Sequence, residues 1–476
     1  MTVDIKLAGG TVVFPMGTAE ADVLINGERI AGVVESNGES PVNADQVVDV
    51  RGRIVLPGIV DPHVHVADYN TIDTYETASA AAALGGVTSF INFAWQAWAG
   101  EDSDWDEPGP LLEGVERHRE LGRQSHVDFG VHAVVTQQDE ATLAEFEALA
   151  DAGVTSIKLF TTYGCGLSYG FMDEALGRAS ELGLVVAVHT EDDSICNRKT
   201  ERSAAEGRME PTAYPQARPD YAEALAVDAV SRMAIEHGAK YYGVHTTSEA
   251  AVEALARYTD EPTVRAETCP HYLTLTEDVY AEQGQLPVIA PPLREASDRA
   301  ALFSHLESGT LSVIGTDHVA NTRAAKERGA WWDGPYGANG LQTSLPIVHE
   351  EAVNKRGFSY PFLARVMSDA PARTFGLDSK GRIEPGRDAD LVVFDPTERW
   401  TIDAEDNASK ADFSIYDGRE VTGRVTHTFV RGSLIAKDGE LVGESGHGTF
   451  LDRSIPDWEA GMEAGARSDA NAEGSV

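Results

Sequence analysis

Six side chains carry most of the chemistry legible in this sequence: His63, His65, Lys158, His189, His245 and Asp317. Imidazole nitrogens and a carboxylate oxygen are ligands for zinc or a similar divalent ion. His63 and His65 form an H-x-H pair within "IVDPHVHV". On extended chain, residues two apart share a face, so both rings can reach one ion. His189 closes the apolar run "VVAVH", His245 closes "YYGVH", and Asp317 follows "VIGT". A lone histidine in such a place is more often a hydrogen-bonded structural residue. His118, His237 and His305, on helical patterns, and His427 and His447, near the C-terminus, are read that way. The functional reading rests on conjunction, because the six groups fall on five separate apolar runs.

Lys158 poses its own question. It sits in the middle of "VTSIKLFTTYG", a run that reads as a buried strand. A buried ammonium is costly unless it is paired or loses its charge. Desolvation lowers its pKa and exposes a neutral amine. Such an amine can add CO2 to become a carbamate, whose two oxygens could bridge two metal ions. The alternative is a buried ion pair with an aspartate or glutamate. Both readings stand at this point.

The elements that must position these groups follow from periodicity. Apolar runs occur at 58–64, 87–94, 127–135, 154–161, 184–189, 241–246, 262–267 and 311–316. Helical patterns such as "FMDEALGRASELG" and "YAEALAVDAVSRMAIEHG" separate most of them. Strands alternating with helices predict an α/β fold, a (β/α)8 TIM-like barrel with its active site at the C-terminal strand ends. A doubly wound open sheet would need a glycine-rich phosphate loop after an early strand, and none is seen. Residues 1–56 and 381–452 read as short strands and turns, a small β-sandwich domain built from both termini around a barrel at 57–380. Residues 453–476 read as an acidic, mobile tail.

Composition excludes some partners. Asp and Glu number 77 against 38 Lys and Arg, a formal net charge of −39. That argues against nucleic acid and anionic membrane. No apolar run approaches the roughly 20 residues of a membrane span, and "MTVDIKLAGG" does not read as a signal peptide. Cys165, Cys196 and Cys269 are scattered, as expected of reduced thiols in a cytoplasmic protein. The acidic, lysine-poor surface suits a salt-rich cytoplasm or an acidic proteome, and neither informs the chemistry.

The set "DPHVHV", "GVTSFINFA", "SIKLFTTYG", "VVAVHTED", "YYGVHTTS", "AETCPHYL", "APPLRE", "GTDH", "NGLQ" and "GRIEPGRDADLVVFDP" resembles the amidohydrolase superfamily. More narrowly it resembles the cyclic amidases: dihydropyrimidinase, hydantoinase and allantoinase. The resemblance covers the chain to about residue 452. It implies two zinc ions, with His63, His65 and Asp317 on one and His189 and His245 on the other. Carboxylated Lys158 (N6-carboxylysine) and a hydroxide would bridge them. Asp317 would accept a proton from the hydroxide and return it to the departing ring nitrogen. Tyr163, five residues after the lysine, occupies the position of a tyrosine that hydantoinases and dihydropyrimidinases carry, and by that resemblance would stabilise the oxyanion. Dihydroorotases carry an arginine where this chain has Ala67, so that activity is disfavoured. "YETASAAAALGGVTS" and "GLQTSLPIVHEEAVNKRGFS" have an allantoinase character, while "ADFSIYDGREVTG" points back to hydantoinases.

The substrate implied is a small cyclic amide. Backbone groups near Ala290, where the family often has serine, and Asn339 would hold its –CO–NH–CO– unit. Tyr69, Trp95 and Trp98 are candidates either for lid packing or for the wall around a ring substituent. His318, beside Asp317, is read as a supporting residue. A homotetramer is implied by the family alone. A non-catalytic dihydropyrimidinase-like scaffold would have lost ligands, whereas all six positions are filled here.

Overall fold

The structure is a computed structural model that describes residues 2–36, 42–68, 70–98, 107–258 and 261–458. Eight parallel strands form its centre: β6 (Ile59–Val64), β7 (Val87–Trp95), β8 (Asp128–Val134), β9 (Ser156–Phe160), β10 (Val185–His189), β11 (Lys240–Gly243), β12 (Val264–Thr268) and β13 (Val313–Ile314). Each pairs with the next in chain order, as right-handed βα units require. β6 meets the last strand's extension through a parallel Val64–His318 bridge, and the His65 N–H donates to the His318 carbonyl at 2.9 Å. A nearly closed barrel results. Most of its strands are buried on both faces, which is why they read as continuous apolar runs rather than alternations.

The intervening helices begin and end on local signals. Ser168 caps Tyr169–Leu182 by accepting from the Phe171 N–H, and Gly183 ends that helix at φ 70°. The helix Asp220–His237 stops at Gly238, φ 64°, in the same way.

Both termini build the second unit. Strands β1 (Thr2–Phe14), β2 (Gly17–Asn26), β3 (Arg29–Glu35), β4 (Asn43–Asp49) and β5 (Ile54–Pro57) join β14 (Leu391–Thr401), β15 (Glu420–Val430), β16 (Ser433–Lys437) and β17 (Glu440–Leu441). They form one mixed nine-stranded sheet, in which β14 pairs with β5. Its own apolar cluster includes Leu7, Val12, Val23, Val55, Leu391, Val393 and Phe429. The chain passes from this sheet into the barrel at Gly58. A Cβ there would lie 2.1 Å from Thr88 Oγ1, so only glycine fits the seam.

Lys380 sits at the same seam. Its Nζ lies 2.6 Å from Asp128, 3.0 Å from Asp388 and 2.7 Å from Asp390. The first residues of the segment read as a tail are packed. Arg453 donates to Ser156 Oγ and to the Val131 carbonyl, and the buried Trp458 indole donates to the Thr374 carbonyl at 3.0 Å. Residues 459–476 lie outside the described residues, as do Tyr69 and 99–106 of the loop after β7.

Candidate metal centre

The six candidate residues come from five strands or their C-terminal extensions. His63 is on β6 and His65 just beyond it. Lys158 is on β9, His189 ends β10, His245 follows β11, and Asp317 follows β13. One ligand atom each from His63, His65 and Asp317 lies within 4.8 Å of the others. Asp317 Oδ1 is 3.1 Å from His63 Nε2 and 3.3 Å from His65 Nε2. The imidazoles continue as a row. The His63 and His245 ring centres are 5.3 Å apart, and those of His245 and His189 are 4.5 Å apart.

Lys158 lies between the two ends of this row. Its Nζ is 5.0 Å from the ring centres of both Phe93 and Phe160. Phe93 stacks on His65, and Phe160 stacks on His189. Among the described residues Lys158 makes no ion pair, so the Lys–Asp or Lys–Glu alternative finds no partner within bonding distance. Burial pulls its pKa down to about 8, against the attraction of Asp317 and Glu267.

Four of the six non-glycine residues with positive φ among the described residues lie at the mouth. Tyr163, His245 and Asp317 adopt φ of 70°, 38° and 48°, and Ala67 adopts 57°. Side-chain-bearing residues rarely occupy this left-handed region, and such outliers cluster at functional sites.

Two of the four histidines, His63 and His189, are oriented from behind through a ring nitrogen. His63 Nδ1 contacts Glu267, which also accepts from the His245 N–H at 3.2 Å and the Tyr242 hydroxyl at 2.8 Å. This leaves His63 Nε2 facing the cluster. Burial disfavours a charged His63, but the carboxylates of Glu267 and Asp317 outweigh it and raise the ring to about 9. The pocket therefore favours positive charge at this point. His189 Nε2 is held at 2.9 Å by Glu191, which in turn takes three contacts of 2.6–3.1 Å from the buried Arg218 guanidinium. His65 Nδ1 is buried without a partner. Nitrogens fixed through their second ring atom, grouped with a carboxylate, are the donor set that a divalent metal takes.

Tyr163 packs beside this set. Its ring lies 5.0 Å from that of His189 and 5.0 Å from the Arg218 guanidinium carbon. Burial pushes its hydroxyl well above the ordinary value, so it stays a donor. Trp95 and Trp98 are both buried and cluster with Phe93, Phe160 and Cys165, against which Tyr163 packs. His318 donates to Asp73 at 2.8 Å and accepts the Gly340 N–H at 3.0 Å. It thereby ties the Asn339 segment to the strand end that carries Asp317. Asn339 and Ala290 are buried, on neighbouring segments joined by the Gly337 N–H and the Val288 carbonyl at 3.1 Å.

The sequence profile of the amidohydrolase family matches residues 54–435. The chain belongs to the amidohydrolase family. It is 33% identical to a D-hydantoinase of Streptomyces coelicolor over 466 residues, covering 94% of this chain and 97% of that protein. An allantoinase of Salmonella newport is 30% identical over 91% of this chain and 95% of its own. Among solved structures, the dihydropyrimidinase of Brevibacillus agri superposes with a TM-score of 0.89 at 30% identity, covering 95% of this chain and 99% of that one.

Within this amidohydrolase, Glu267, Glu191 and Arg218 are the site residues that sequence reasoning passed over. Two of them lay inside motifs already quoted. Glu191 stands two residues after His189, the spacing that made His63 and His65 a pair, and Glu267 opens "ETCPHYL". Arg218 gave no signal, because its role depends on a loop folding back onto β10.

Proposed function

We propose that this amidohydrolase opens cyclic amide rings of the dihydropyrimidine or 5-substituted hydantoin type, giving N-carbamoyl amino acids. Two zinc or similar divalent ions and a carboxylated Lys158 complete the site. His63, His65 and Asp317 would hold one ion and His189 and His245 the other, with the Lys158 carbamate shared. When bound, such ions supply Lewis acidity and hydroxide near neutral pH.

The chain's own residues do the rest. Burial alone would raise the Asp317 carboxyl, but His63, His65 and His245 hold it well below the ordinary value. It is therefore ionised, able to take a proton from the attacking water and hand it to the departing ring nitrogen. The Tyr163 hydroxyl donates to the ring carbonyl oxygen as negative charge develops there. The peptide groups of Ala290 and Asn339 hold the –CO–NH–CO– unit. Ala67 offers no cation for a substrate carboxylate, so dihydroorotate is a poor substrate. Trp95 and Trp98 shape the wall on the Tyr163 side. Three free, buried cysteines fit a cytoplasmic enzyme, and the homotetramer is inferred from family likeness. Among the described residues no helix is long and apolar enough to cross a membrane.

The observation that carries this reading is the meeting of four imidazoles, Asp317 and an unpaired buried lysine beside Tyr163. A side-by-side panel of dihydrouracil, 5-substituted hydantoins, allantoin and dihydroorotate tests it, together with metal analysis of the fresh enzyme. The highest kcat/KM is expected on a dihydropyrimidine or hydantoin, with about two ions per chain. A panel led by allantoin or dihydroorotate, or active protein without divalent metal, would overturn it.

A further inference from the structure

Lys326 is another fully buried lysine, and the metal site does not use it. It ends the short helix Arg323–Lys326 and is 1% exposed. Its Nζ donates to three backbone carbonyls: Val288 at 2.6 Å, Pro335 at 2.9 Å and Gly337 at 2.9 Å. Three acceptors use all three hydrogens of an ammonium. Burial alone draws the group down to about 7, while the three carbonyls favour its charged form.

The acceptors lie on the two segments that carry Ala290 and Asn339. Other groups hold the same segments. The Tyr214 hydroxyl donates to the Ile289 carbonyl at 2.8 Å, and the Tyr272 hydroxyl to the Pro291 carbonyl at 2.7 Å. The Val319 N–H donates to the Ala338 carbonyl at 3.0 Å, and Gly340 is held by His318. The carbonyls on either side of Ala290 are thus occupied. Among the described residues, the N–H and C=O of Ala290 and of Asn339 have no protein partner, and Asn339 Oδ1 is buried without one.

We infer that Lys326 is a positioning residue for ring recognition, clamping the 288–291 and 335–340 segments so that the open peptide groups of Ala290 and Asn339 face one planar ring. This rests on the reading that these peptides bind the substrate. Lys326 touches neither substrate nor metal. Its loss loosens the receiving backbone and leaves the reacting groups in place.

The test is Lys326→Met, which keeps the unbranched side chain to within one atom of its length and removes its three donors. KM for the best ring substrate should rise about tenfold or more, with kcat within about threefold of wild type, as expected when several hydrogen bonds to a binding segment are lost. Metal content should be unchanged. Hydrogen exchange should quicken in peptides covering 288–291 and 335–340 but not in the barrel strands. Wild-type KM with wild-type exchange would overturn the inference. So would a parallel loss of kcat, metal and global protection, which marks a purely structural residue. Should K326M not fold, Tyr214→Phe removes one donor from the same segment, and a smaller KM rise with intact metal is expected; unchanged KM would count against the clamp. If wild type opens no ring at all, the proposed function fails. The exchange pattern then decides the clamp separately, with unchanged rates in both segments overturning it.

Discussion

Two of the buried lysines of this molecule sit in regions that treat them in opposite ways. At the seam between the terminal sheet and the barrel, Lys380 faces Asp128, Asp388 and Asp390 within 3.0 Å. Burial opposes its charge, but these carboxylates outweigh it and hold the ammonium above its ordinary value. At the barrel mouth, Lys158 has no carboxylate partner among the described residues, two phenyl rings for neighbours, and a pKa drawn down to about 8. A buried lysine surrounded by acids is a joint. At Lys158 the absence of acids favours the neutral amine that the proposed carbamate needs.

The contrast yields predictions of graded size. The largest concerns Lys158. Under the proposed function, Lys158→Ala and Lys158→Arg should both lose metal and at least about 100-fold in activity, since alanine has no amine to carboxylate and a guanidinium stays protonated. Zinc content and turnover of the arginine variant beside wild type check this. Near-normal values would erase the difference between the two lysines. A small carboxylic acid at high concentration should restore part of the alanine variant's activity and none of the arginine variant's.

Lys380→Met should behave in the reverse sense. Asp128 keeps Arg431 and Asp388 keeps Arg29, but Asp390 is left at a buried seam without a side-chain cation, which costs about 3–5 kcal/mol in denaturant unfolding. Metal content and kcat of the folded fraction should persist. Lowering the pH from 8 to 5 should narrow the stability gap. Burial already raises Asp390 and the loss of Lys380 raises it further, so the variant's folded state binds more protons than the unfolded chain, and acid favours it.

Glu267→Gln sharpens the comparison from the metal side. It keeps the shape behind His63 but removes the carboxylate, and should weaken metal binding about 10–100-fold, as other supporting partners of ligand histidines do. Competition with a chelator measures it. The smallest effect belongs to a half-buried surface lysine. Lys199 sits 5.8 Å from the Tyr221 ring centre, and Lys199→Gln should change stability by no more than about 1 kcal/mol, with activity unchanged.

The strands were legible because most barrel strands are largely apolar runs, and such runs carry their boundaries in the sequence. Tyr163 was legible through the family's spacing. Glu191 was half legible, since the two-residue interval from His189 puts both on one face. Arg218 and Lys326 were not. An arginine in "QARPDY" and a lysine in "NTRAAK" look like solvated charges until the chain folds over them. The packing of residues 453–458 was hidden for a related reason. Arg453 finds Ser156 and Val131 only because the C-terminal segment returns to the barrel.

By itself the sequence determined the alternation of strands and helices, the order of the ligand-bearing strand ends, and therefore which residues share a mouth. These depend on local periodicity and on the barrel's direct link between chain order and position. Only the tertiary structure decided which buried charges are paired. That depends on which carboxylate or carbonyl a distant segment brings within about 3 Å of a lysine. In this chain Lys380 received acids, Lys326 received carbonyls, and Lys158 received neither.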